Sequence, residues 1–134
     1  MALNVGVNDV PATVKLAMVG LSDKATSRYS PVTHSDALHL RSNFVTLDWL
    51  AEHLKLVYAN ALVIDAEGSE LDVIIGAKKL IAMSPELVIL VEIHPNLRRG
   101  IVSDVITTLS TMGFNGILAS ESHETVTFVF KRRS

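Results

Sequence analysis

The chain has 134 residues, 49% of them hydrophobic and 19% charged, with a formal net charge of −2; this fits one domain with a real core and excludes a disordered polyelectrolyte or a basic nucleic-acid-binding field. The absence of cysteine excludes a disulfide framework and a thiolate metal site. The longest apolar run, Leu87–Val91, is far too short to cross a bilayer, and the opening MALNVGVNDV lacks the basic-then-apolar order of a signal peptide, so the expectation is a soluble, cytoplasmic protein with neither nucleic acid nor membrane as partner.

Residues 13–19, TVKLAMV, are β-branched and aliphatic with Gly20 close behind, a strand pattern. Residues 22–43 are polar and read as a long loop, a length that goes with function or disorder in a compact domain. Over 47–56, Leu47, Leu50, Ala51 and Leu54 recur at helical spacing, and Thr46 is placed to cap the first turn. Residues 61–65, ALVID, predict a short strand. Val73, Ile74, Ala77, Leu80 and Ile81 predict one helix over 70–82, with Ser69 and Asp72 at capping-box spacing and Pro85 beyond its end. The aliphatic run 87–93, LVILVEI, suits a strand buried on both faces of a parallel sheet. Ile101, Val102, Val105, Ile106, Leu109 and Met112 outline another amphipathic helix, with Gly113 as its C-terminal cap. Residues 116–119 and 125–130 predict two strands joined as a hairpin by SESHE. Strands alternating with helices mean an α/β fold, here a mainly parallel sheet closed by an antiparallel hairpin.

Residues 62–70, LVIDAEGSE, run three aliphatic residues into Asp65, Glu67 and Glu70. Open parallel sheets bind ligands outside the carboxyl ends of their strands. Asp65 ends one strand, and Glu92 and His94 end the next, so Asp65, Glu67, Glu92 and His94 are expected to line one crevice. Glu70 and Asp72 fall in the first helical turn, where the helix dipole accounts for them without chemistry. Glu92 lies inside an aliphatic strand and needs a partner, either an ion pair or a site. Gly68 supplies backbone freedom for a tight strand-to-helix turn. His34, His39, His53 and His123 show no ligand spacing.

The stretch IDAEGSELDVIIGA, Ile64–Ala77, resembles the central signature of the FkbM family of S-adenosylmethionine-dependent methyltransferases: a strand running into D-x-E-G-x-E, then a helix with a Gly-Ala pair. LVILVEIHP, Leu87–Pro95, resembles the family's next strand, which ends in Glu and is often followed by His-Pro. Thr46-Leu47-Asp48, VGLSD at Val19–Asp23 and Gly113-Phe114 match further features in the family's order. The resemblance implies a class I methyltransferase (Rossmann-like) sheet and methyl transfer to an oxygen or nitrogen of a small molecule or sugar, chiefly O-methylation. By the same analogy Asp65 would lie beside the methionine end of the cofactor and the acceptor, with Glu67 next to it. Glu92 and His94 would border the acceptor pocket, and Ser22 and Asp23 would lie near the adenine.

The family's opening strand, its D-x-G-A-N-x-G loop and its second strand have no counterpart; NVGVND at Asn4–Asp9 lacks the leading Asp and the closing Gly. The chain is expected to match the C-terminal two-thirds of that domain, truncated at the N-terminus, with cofactor binding weakened. Residues 61–65 would then be an exposed sheet edge through which a homodimer could form, and 13–19 would lack its native neighbour. A non-catalytic α/β remnant that has lost the cofactor is the alternative. His94 or Asp65 is the expected base; a divalent cation held by Asp65, Glu92 and His94 is the competing arrangement. There is no G-x-S-x-G nucleophile turn and no P-loop.

Overall fold

The computed structural model describes residues 6–7, 9–10, 12–18, 26–27 and 38–133. In chain order the elements are β1 (Gly6–Val7), β2 (Ala12–Met18), β3 (Thr26–Ser27), β4 (Leu38–Val45), α1 (Leu47–His53), β5 (Ala61–Asp65), α2 (Glu70–Ile75), α3 (Lys78–Ala82), β6 (Val88–Ile93), α4 (Ile101–Thr111), β7 (Phe114–Glu121) and β8 (Val126–Arg132). Among the described residues the strands form two sheets, ordered β1-β4-β2-β3 and β5-β6-β8-β7. The fold is α/β, but the sheets are not mainly parallel. Each has one parallel pair, β1 with β4 and β5 with β6, and its other pairs are antiparallel. In the second sheet the expected hairpin forms, but its returning strand β8 inserts between β6 and β7 and so makes two antiparallel pairs beside one parallel pair; in the first, β2 pairs antiparallel with both β3 and β4.

Three other expectations change. The polar stretch at 22–43 is not all loop, since β4 begins at Leu38 and pairs with β2 from Met18↔Leu38 to Ala12↔Phe44. β2 thus has neighbours on both sides, β4 and β3. The strand expected at 13–19 is β2, one residue earlier; Val19 lies outside the described residues. The single helix expected over 70–82 is two, α2 and α3, broken at Gly76 and Ala77. Glycine is a poor helix interior residue, and α1 satisfies the break. The Asp48 N–H donates to the Gly76 carbonyl at 2.8 Å. The Asp48 carboxylate accepts from the N–H groups of Lys79 and Leu80 at 3.0 and 2.9 Å, and so caps α3. Thr46 caps α1 as its position predicts, accepting from the Trp49 N–H.

Nor is β6 buried on both faces. Ile89, Val91 and Ile93 are fully buried while Val88, Leu90 and Glu92 are half-buried. The buried side packs with Ile64, Phe130, Ile74 of α2 and Val105 and Leu109 of α4 in one core. Gly116 belongs to this packing: a Cβ there would lie 2.6 Å from Phe130 Cε1, so the ring needs a glycine beneath it. β5 is an edge strand of its sheet, as expected. No helix among the described residues is long and apolar enough to cross a membrane.

Candidate functional site

The parallel pairing of β5 with β6 brings their carboxyl ends together, with Asp65 opposite Glu92. Beyond Asp65 the chain turns sharply. Glu67 (φ 47°) and Gly68 (φ 92°) are both left-handed, and the Ser69 N–H closes the turn on the Ala66 carbonyl at 3.0 Å. The turn leads directly into α2. The Ser69 side chain makes no capping bond, so the capping box read from the sequence does not form. Glu70 braces the turn ahead of the helix, its Oε1 accepting the Gly68 N–H at 2.9 Å.

Glu70 is fully buried, which corrects its reading as an ordinary first-turn acid. The same Oε1 lies 2.9 Å from Nδ1 of His94, the second residue after β6 ends. A carboxylate only accepts, so Nδ1 carries the proton and neutral His94 presents the Nε2 lone pair on its far side. That Nε2 lies 3.7 Å from Asp65 Oδ1 and 3.8 Å from Glu67 Oε2. The ring is largely buried, whereas the Asp65 side chain is 57% exposed and forms the mouth of the site. Burial of the ring acts to lower its pKa. The Glu70 hydrogen bond and the charges of Glu67, Glu70 and Asp65 outweigh it, and His94 titrates above its ordinary 6.5.

Three of the four residues expected in the crevice therefore come together, Asp65 and Glu67 beside the His94 imidazole. Glu92 does not join them. Its side chain lies on the sheet face away from the core, half-exposed, and makes no ion pair among the described residues. The expectation that it needs a partner assumed a strand buried on both faces. Asp72, buried, pairs with Arg98 at 3.1 Å and belongs to the scaffold. Ser22 and Asp23 lie outside the described residues. The participant that sequence reasoning passed over is Glu70, although it is the third acid of the quoted D-x-E-G-x-E stretch; its membership of one acid cluster with Asp65 and Glu67 was the available signal.

Chemically, the site sets one imidazole among three carboxylates, an arrangement that holds a proton or attracts a cation. Single ligand atoms of Asp65, Glu67 and His94 lie within 4.8 Å of one another. Glu70 Oε2 is buried and has no hydrogen-bond partner among the described residues. No known family model matches this chain, and no curated protein or solved structure matches it either.

Proposed function

We propose that this chain takes part in methyl transfer from S-adenosylmethionine to an oxygen or nitrogen of a small-molecule or sugar acceptor, on a class I methyltransferase framework, and that His94 removes the acceptor's proton. The observation that carries the reading is the hydrogen bond from His94 Nδ1 to the buried Glu70 carboxylate, which turns Nε2 toward Asp65 and Glu67.

The donor is a sulfonium cation, and a site with three carboxylates suits its charge. The fit extends only to the methionine and acceptor side, because Ser22 and Asp23 are outside the described residues and the sequence lacks a glycine-rich loop. When bound, the cofactor supplies an electrophilic methyl group. The chain's own residues do the rest. Glu70 fixes the ring, His94 Nε2 takes the acceptor's proton, and Asp65 and Glu67 stabilise the resulting imidazolium. Asp65, at the open mouth, is placed to accept a hydrogen bond from the acceptor and orient it. A positioned base contributes about 10²–10⁴ in rate. Neutral His94 is the active form, so the rate rises with pH, and because the ring titrates above its ordinary value the rise falls above pH 6.5.

The test is transfer of a labelled methyl group to a panel of polyols and amines, with melting temperature followed during S-adenosylmethionine titration. A saturable rise in melting temperature, with turnover reduced about 10²–10⁴-fold in His94→Gln, supports the reading. A flat melting temperature and no transfer favour a non-catalytic domain.

A second reading has its own support. A carboxylate on the far nitrogen is the arrangement that orients a metal-binding imidazole, and single ligand atoms of Asp65, Glu67 and His94 lie within 4.8 Å of one another. In this version Asp65, Glu67 and His94 would hold a divalent cation, which would supply a positive centre for a diol acceptor. Titration with Mn²⁺ separates the two: saturable binding lost in Glu67→Gln selects the cation, and absence of binding selects the base.

A further inference from the structure

We infer that the sheet face opposite α2 and α4 is a docking surface for a second copy of this chain, laid across it antiparallel. The strand registers place Val63, Leu90, Val129 and Ile117 in one line across β5, β6, β8 and β7. Their chain neighbours Ile64, Val91, Phe128 and Phe130 belong to the core cluster, so strict alternation puts the line on the far face. Val63 is 71% and Ile117 59% exposed, with Leu90 and Val129 half-buried between them. Single exposed apolar residues are ordinary, but a stripe crossing every strand of a sheet is not.

The stripe has borders of opposite sign. Asp65 and Glu92 share one row at the carboxyl ends of β5 and β6, and Lys131 lies in the row on the other side of the stripe, opposite Val88. Two face-to-face pairings are possible. A two-fold axis parallel to the strands sets acid row on acid row. An axis along the stripe sets stripe on stripe and carries each acid row over the other copy's Lys131 row. Charge complementarity selects the second. Glu92 and the Lys131 of the second copy are then one strand spacing apart laterally, about 4.8 Å, within reach of long side chains.

Four strands at about 4.8 Å and five residues at about 3.3 Å give a face of roughly 300 Å² per partner. That is well under the roughly 800 Å² per partner of a stable complex, so the dimer is weak and reversible. It uses side chains of the face rather than backbone groups of the β5 edge, and it does not depend on the methyl-transfer reading.

Sedimentation velocity on the full chain across a wide concentration range tests this. The expected result is a reversible monomer–dimer equilibrium. Ile117→Lys and, independently, Val63→Lys weaken it roughly thirtyfold or more; both positions are largely exposed, and an unchanged circular dichroism spectrum verifies the fold. Lys131→Glu weakens it about tenfold, and adding Glu92→Lys restores it. A chain monomeric at every concentration overturns the inference. So does a dimer indifferent to both stripe variants, which would place the contact elsewhere, or a charge swap that fails to restore association.

Discussion

Replacing Glu70 with glutamine keeps the side chain's shape and removes its charge. The amide carbonyl can still accept the Gly68 N–H and the His94 Nδ1–H, each 2.9 Å from Oε1 in the native chain. What disappears is charge assistance. A hydrogen bond to a charged group is worth about 1.5–3 kcal/mol net, against about 1 kcal/mol for a neutral one. Over two bonds the loss is about 1–4 kcal/mol, or about 3–16 °C in melting temperature for a chain of this size. The new amide also places a donor where Oε2 stood, and no partner lies there among the described residues. The loss depends on pH. His94 titrates above 6.5 in the native chain. Its contribution to stability is therefore full below the unfolded value and disappears as pH rises through the folded one. The Glu70 hydrogen bond is the leading cause of that elevation, so the gap between native chain and Glu70→Gln is widest at about pH 6 and narrows at about pH 9. Urea unfolding at both pH values measures it. A gap of equal size at both, or a wider one in alkali, refutes the reasoning.

Asp48→Ala removes both caps on α3 and is expected to cost about 1–2 kcal/mol in urea unfolding, while the titration of His94 stays where it was. Gly116→Ala drives a methyl group into Phe130, 2.6 Å from Cε1; thermal melts should show a loss of about 1–3 kcal/mol.

Legibility followed period and charge. β5, β6 and α4 were readable to within a residue because their apolar patterns are dense and their stops explicit. The convergence of Asp65, Glu67 and His94 followed from two strand ends in parallel register. β4 was missed because LHLRSNFV interleaves Leu38, Leu40 and Phe44 with polar residues in a polar neighbourhood, so its alternation reads as loop. The helix break was missed because the apolar period runs unbroken through Gly76; only α1, distant in sequence, supplies the groups that make the break tolerable. Glu70 was missed because the helix-dipole explanation sufficed locally. Its partner His94 lies 24 residues away. Glu92 was over-read because strand composition does not reveal which faces of a sheet will be covered; α2 and α4 pack on one face of β6 and leave Glu92 on the other.

The central claim is that a buried carboxylate holds His94 with its free nitrogen turned to two more acids. Nitrogen-15 NMR titration of the His94 ring tests it most directly. The account predicts a midpoint above 6.5 and, in the neutral form, a proton on Nδ1. A midpoint at or below the ordinary histidine value, or a proton on Nε2, would contradict it.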